Sequence, residues 1–198
     1  MLLLAVSTPS QALQCFESSP SVRAGKDAYD AITPTRLSSD ERKSITRIFQ
    51  RLAGRWSGKT DGYFCRGTTN ASRKEANDYS VELTAKSDSA DELSLVSDLV
   101  SADGTTTRTE RLRLFLSADT LRLDSNDPGS GVEILSLSSS GNAIVFLHKV
   151  FVRNADVGVR VTEVQRRIEV SGTRLQIDYQ VYLGGILSSA SSWVMSRK

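Results

Sequence analysis

The feature that most limits what this chain can fold into is an alternation of apolar and polar residues that begins near Gly54 and runs to the C-terminus. Tyr79, Val81, Leu83 and Ala85 alternate with Ser80, Glu82, Thr84 and Lys86, the period of two that gives a strand one dry and one wet face. The pattern returns at Leu112, Leu114 and Leu116 against Arg111 and Arg113, and at Leu175, Ile177, Tyr179, Val181 and Leu183 against Gln176, Asp178 and Gln180. Turn signals separate the runs at hairpin spacing: Ala102-Asp103-Gly104, Asn126-Asp127-Pro128-Gly129, Ser140-Gly141-Asn142 and Ser171-Gly172. They bound about ten strands, at 55–66, 78–87, 92–101, 105–117, 119–124, 131–138, 142–153, 157–170, 173–184 and 187–197. No helical pattern lies between them, so parallel crossovers are excluded and neighbours in sequence pair as hairpins. A meander this long lowers the cost of its edges by closing or nearly closing. The expected fold is therefore all-β, an antiparallel up-and-down barrel of about 8–10 strands preceded by one amphipathic N-terminal helix.

Ahead of the alternation, Ser38-Ser39-Asp40-Glu41 fits a capping box, and Ile45, Ile48, Phe49 and Leu52 then fall on one helical face. Gly54 ends this helix, expected over 39–52. Its other face carries Lys43, Arg47 and Arg51, read as a solvated face in preference to a stripe for an anionic surface. The run at 142–153 is apolar on both sides, with Ile144, Phe146, His148, Val150 and Val152 opposed to Val145, Leu147 and Phe151. One side meets the barrel interior. The other calls for a cover, from the helix or from the chain before it.

Residues 13–37 mix Ser, Pro, Gly and charge without a period and read as an extended arm, with 38–198 as a single helix-plus-barrel domain. Residues 1–12 read as the tail of a signal peptide, an apolar run at Leu2–Val6 followed by small residues before a cleavage point after Ala12. The positive n-region is missing and the run is too short to span a bilayer, so the signal is truncated and no transmembrane span is expected. A disordered N-terminus is the alternative. An exported chain with two cysteines, Cys15 and Cys65, is expected to join them in one disulfide and to be periplasmic or secreted. Two unrelated thiols are the other reading. With 198 residues, 39% apolar composition and a formal charge of +2, the chain is neither disordered nor suited to a polyanion, and nucleic acid is not an expected partner.

Gly54-Arg55-Trp56, a G-x-W directly after a helix and at the entry to the first strand, resembles the lipocalin and wider calycin group. In that group the tryptophan closes the barrel floor and a late arginine packs over its indole, which the resemblance assigns to Trp56 and Arg197, with Gly54 allowing the turn. The chain departs from true lipocalins in lacking a Thr-Asp-Tyr motif and a C-terminal helix. Gly54, Trp56 and Gly58, followed by Gly62-Tyr63, also resemble the first strand of nitrobindin-like haem barrels. The sole histidine, His148, precedes three further strands, out of place for that family's ligand, so haem is not expected.

A catalytic set is likewise missing: no G-x-S-x-G elbow occurs, and a lone His would have to serve every nucleophile. The segment Asp124–Gly129 begins like a calcium loop but puts Pro128 and Leu135 where oxygen ligands belong, so it reads as a turn and no metal or other cofactor is expected. The leading expectation is an exported binding module for a small hydrophobic or amphipathic molecule, with Tyr79, Val81, Leu114, Phe146, His148, Leu175, Ile177 and Tyr179 lining the site. Small residues at Ser188–Ser192 leave room for it. Arg108, Glu110, Arg160, Glu163, Arg166 and Arg167 are read first as cross-strand surface pairs, and otherwise as inward charges able to hold a ligand carboxylate. The alternative function is an envelope module with a side-chain-filled barrel that meets a protein partner.

Overall fold

The structure, a computed structural model, describes residues 14–123, 131–154 and 158–198. Two helices, α1 (Pro20–Arg23) and α2 (Ser39–Leu52), precede the strands. These are β1 (Gly54–Thr68), β2 (Ala71–Ala76), β3 (Tyr79–Ser89), β4 (Glu92–Ser101), β5 (Thr107–Ser117), β6 (Thr120–Leu123), β7 (Val132–Leu137), β8 (Ala143–Asn154), β9 (Gly158–Ser171), β10 (Arg174–Leu183) and β11 (Ile186–Arg197). All pair antiparallel in a single sheet of order β6-β5-β4-β3-β1-β11-β10-β9-β8-β7, with β2 off the path and paired to β1. The ten strands of that path are the ten of the alternation. The readings of residues 1–12 and of the 124–129 turn lie outside the described residues.

The barrel joins its first strand to its last, β1 lying against β11 from Trp56↔Arg197 to Phe64↔Ser189. Its discontinuity is in mid-sequence, between β6 and β7, which among the described residues are joined by the bridge Arg122↔Gly131. The N-terminal arm fills this seam. The Thr35 N–H donates to the Val132 carbonyl at 3.1 Å and the Leu37 N–H to the Asp119 carbonyl at 2.7 Å, so residues on both lips are satisfied by one passing segment. Ile134 N–H adds a bond to Thr35 Oγ1 at 2.7 Å. Open edges are a liability that proteins cover, and the cover here is built from the same chain.

Upstream of the seam the arm is not simply extended. It makes the short helix α1, capped by the Ser19 hydroxyl, and is tied to the β10–β11 corner through Ser19 N–H to Gly185 O at 2.7 Å and Leu187 N–H to Glu17 O at 2.8 Å. It then crosses the outer face of β8 and β9. There Leu147 is buried, and the Lys149 ammonium takes the Ala28 and Asp30 carbonyls at 2.9 and 2.8 Å. The arm therefore covers the outer apolar side of β8.

The helix covers an end. Both halves of the capping box form, Glu41 N–H to Ser38 Oγ at 3.3 Å and Ser38 N–H to Glu41 Oε2 at 2.8 Å. Ile45, Ile48, Phe49 and Leu52 are buried and join Trp56, Leu83, Leu93, Leu114 and Leu175 in one core cluster that fills the barrel beneath α2. Each such side chain contributes roughly 1.5–3 kcal/mol on burial. Lys43, Arg47 and Arg51 lie exposed on the far face, with Lys43 paired to Asp40. Among the described residues no helix is long and apolar enough to cross a membrane.

Candidate binding cavity

Directly paired residues of a sheet share a face, so the registers fix what points inward. One row runs Trp193, Ile177, Ile168 across β11, β10 and β9, and the next towards the end away from α2 runs Ser191, Tyr179, Arg166. Beyond it come Ser189, Val181 and Val164. Small side chains on β11, with Gly62 and Phe64 opposite them on β1, leave the axis open at this level. The result is a chamber of about 330 Å³ at the end of the barrel away from the helix, with Tyr79, Leu99, Tyr179, Val181 and Trp193 among its walls.

Its floor is charged. Arg166, Glu110 and Tyr179 border both the chamber and a void of about 20 Å³ beneath it, where Ser97 and Leu112 lead into the packed core. The Arg166 guanidinium lies 4.3 Å from the centre of the Tyr179 ring, and that ring leans against Trp193 at 4.9 Å. Glu110 is engaged by Arg108, an ion pair at the chamber wall. Arg166 has no such carboxylate among the described residues, and its Nε is shut off from solvent without a hydrogen-bond partner. A ring face returns about 0.5–2 kcal/mol to a cation, whereas withdrawing a charge from water costs several, so the stack offsets only part of the loss. Burial pushes the Tyr179 hydroxyl up to about 12, opposed by the Arg166 charge, so the phenol is neutral across the physiological range.

Of the residues expected to line a site, the structure brings Tyr79 and Tyr179 to the chamber. Val81, Leu114, Phe146, Leu175 and Ile177 are instead almost wholly buried in the solid core, because α2 plugs that end and their large side chains meet across the axis. His148 is buried too, tilted against Phe146 at 6.2 Å, with Nδ1 unpartnered. Burial first and the Arg166 charge second hold its pKa down to about 3. The inward charges replace the expected surface pairs at Arg108, Glu110 and Arg166, while Arg167 is paired outside with Glu169 and Glu163 is buried beneath the arm. The sequence signal for Arg166 is its parity. It interrupts the apolar row Val164, Ile168, Val170.

The opposite end is fixed by Trp56. Its indole N–H donates to the Leu52 carbonyl at 2.8 Å, and Arg197 lies 4.4 Å over the ring while donating to the Ala53 carbonyl at 2.9 Å. Gly54, at φ +137°, leaves the space that Arg197 uses, since a Cβ there would stand 2.8 Å from Nη1. Cys15 and Cys65 form a disulfide, Cα to Cα 5.4 Å, that fastens the arm to β1 one residue past the chamber wall at Phe64. Among the described residues no group of three His, Cys, Asp or Glu is placed to hold a metal.

Neither a family model nor a curated protein matches the sequence. Solved structures match the fold. An S-type phycobiliprotein lyase from Guillardia theta is 15% identical, with a TM-score of 0.56 over 83% of this chain and 98% of that one. A protein of unknown function from the DUF3598 family of Nostoc punctiforme is 19% identical, with a TM-score of 0.50 over 76% of this chain, which spans 49% of that protein. At such identities the likeness is of architecture alone. With ten strands in one antiparallel path, a helix across the floor and Trp56 beneath Arg197, the chain is a calycin-like, nearly closed antiparallel β-barrel.

Proposed function

We propose that this barrel is a lipocalin-like binding module, not an enzyme, that holds a small hydrophobic or amphipathic molecule in the chamber at its open end. The observation that carries the proposal is the division of the interior, packed solid beneath α2 and open for about 330 Å³ above the Arg166 floor. Ligand pockets run from roughly 300 to 1,000 Å³, so the occupant is small. Aromatic walls with a few convergent polar groups are the usual lining of such a site. The proposal extends to a periplasmic or secreted location, supported by the Cys15–Cys65 disulfide, since such bonds persist in oxidising compartments.

The test is native mass spectrometry of the protein purified from its own host, joined to a titration with hydrophobic probes read by Trp193, which lines the chamber. A retained small molecule, or a change in emission that disappears in Trp193→Phe, is the expected result. A barrel that carries no added mass and leaves Trp193 emission unchanged would instead be a filled module that works through its outer surface.

A further inference from the structure

We infer that the chamber selects a monoanion, a carboxylate on a small apolar body, and that Arg166 is the residue that holds it. The inference rests on the binding proposal and adds the ligand's charge. Three charged side chains border the chamber among the described residues, Arg108, Glu110 and Arg166. Arg108 and Glu110 neutralise each other as an ion pair, which leaves a single positive charge, on Arg166, at the floor. That guanidinium is poorly satisfied where it stands: one face rests on the Tyr179 ring, Nε is buried without an acceptor, and no described carboxylate is within ion-pair distance. Arginine presents donors in a planar fork that suits the two oxygens of a carboxylate, and an arriving anion would supply the missing acceptors. The other walls, Leu99, Val181 and Trp193, are apolar and receive the remainder of the molecule.

The location argues the same way. Arg166 occupies an inward position of β9 between Val164 and Ile168, where an apolar residue would pack without any charge to desolvate. Its neighbour across β10 is Tyr179, whose ring fixes the guanidinium at the bottom of the chamber instead of letting it reach the rim. A dianion would bring one charge too many against the single unpaired arginine, and a cation would meet it with like charge.

Calorimetric titration of the whole protein with 2-naphthoate, 2-naphthamide and 2-naphthylmethylammonium tests this, since the three share a body and differ in head group. The expected order is naphthoate tighter than the amide by about tenfold or more, with no measurable binding of the ammonium. Arg166→Gln should abolish the preference for naphthoate, bringing the acid and the amide to the same affinity. Glu110→Gln should move the other way, tightening naphthoate several-fold relative to the amide, a gain that a merely structural role would not produce. Equal affinity for all three heads in the unmodified protein would overturn the assignment of charge while the binding reading stands. Failure of all three to bind would overturn both.

Discussion

On β8 the side chains of His148 and Lys149 point to opposite faces of one strand, and both are buried. His148 faces inward, where its surroundings keep it neutral. In the unfolded chain the same imidazole takes a proton near its ordinary 6.5, whereas in the fold it does so near 3. Between those values the unfolded state binds more protons, so the stability His148 contributes is complete above about pH 6.5 and is lost as the pH falls towards 3. Urea melts at about pH 7 and about pH 4.5 should therefore show a steeper loss for the unmodified protein than for His148→Leu. Parallel losses in the two proteins would mean that the imidazole accepts its proton within the fold. Lys149 faces outward and was not legible as buried, because its partners come from a distant segment. Its ammonium is 3.5 Å from Glu163 Oε2 and bonds to arm carbonyls, and nothing in the local alternation announces that an arm will cross there. Arg166 is the converse case, an inward charge that parity marked and the rarity of buried arginine argued against.

Elements were readable where a local period exists. The capping box and the i, i+3, i+4, i+7 face of α2 survive intact, as do the ten strands of the barrel path. β2 was missed for a physical reason: Ala71–Ala76 is exposed throughout, so it has no apolar alternation, and its strand character comes from pairing with β1. The same holds for α1, four residues with too little length for a period. The junction of α2 with β1 depends on Arg197, which closes the helix by donating to the Ala53 and Arg51 carbonyls and stacks on Trp56. Arg197→Met should lower stability by about 1–2 kcal/mol, combining a lost cation–π contact with unsatisfied helix-end carbonyls. Chemical denaturation measures it, and near-ultraviolet circular dichroism should report a change around Trp56. A variant as stable as the original would mean that the last turn holds without its cap.

At the scale of the whole molecule, the arm is a structural member. It fills the seam between β6 and β7, covers β8 and is fixed to β1 by the Cys15–Cys65 bond across a sequence separation of 50 residues. Chain-entropy reasoning assigns such a cross-link about 4 kcal/mol, and measured values often fall below it. The double variant Cys15→Ser, Cys65→Ser should melt lower by a matching amount, and adding reductant to the original should reproduce the change. Unaltered melting in both would show that the backbone bonds of the arm hold it unaided. The architecture was legible in the sequence, but the seam was not, because no local pattern says which neighbouring strands of a meander will pair least among the described residues.

The seam between β6 and β7 shapes how the ring can assemble. Every other neighbouring pair on the path joins strands close in sequence, except the zipper of β1 with β11, where Trp56 meets Arg197. Two half-barrels can therefore fold from short-range pairings on either side of the break, and the slow event left to them is the search of β1 for β11, opposed by loop entropy. The helix, Trp56 and Arg197 all converge on that last joint. The residues that floor the barrel are thus the ones that register whether its circle has been completed.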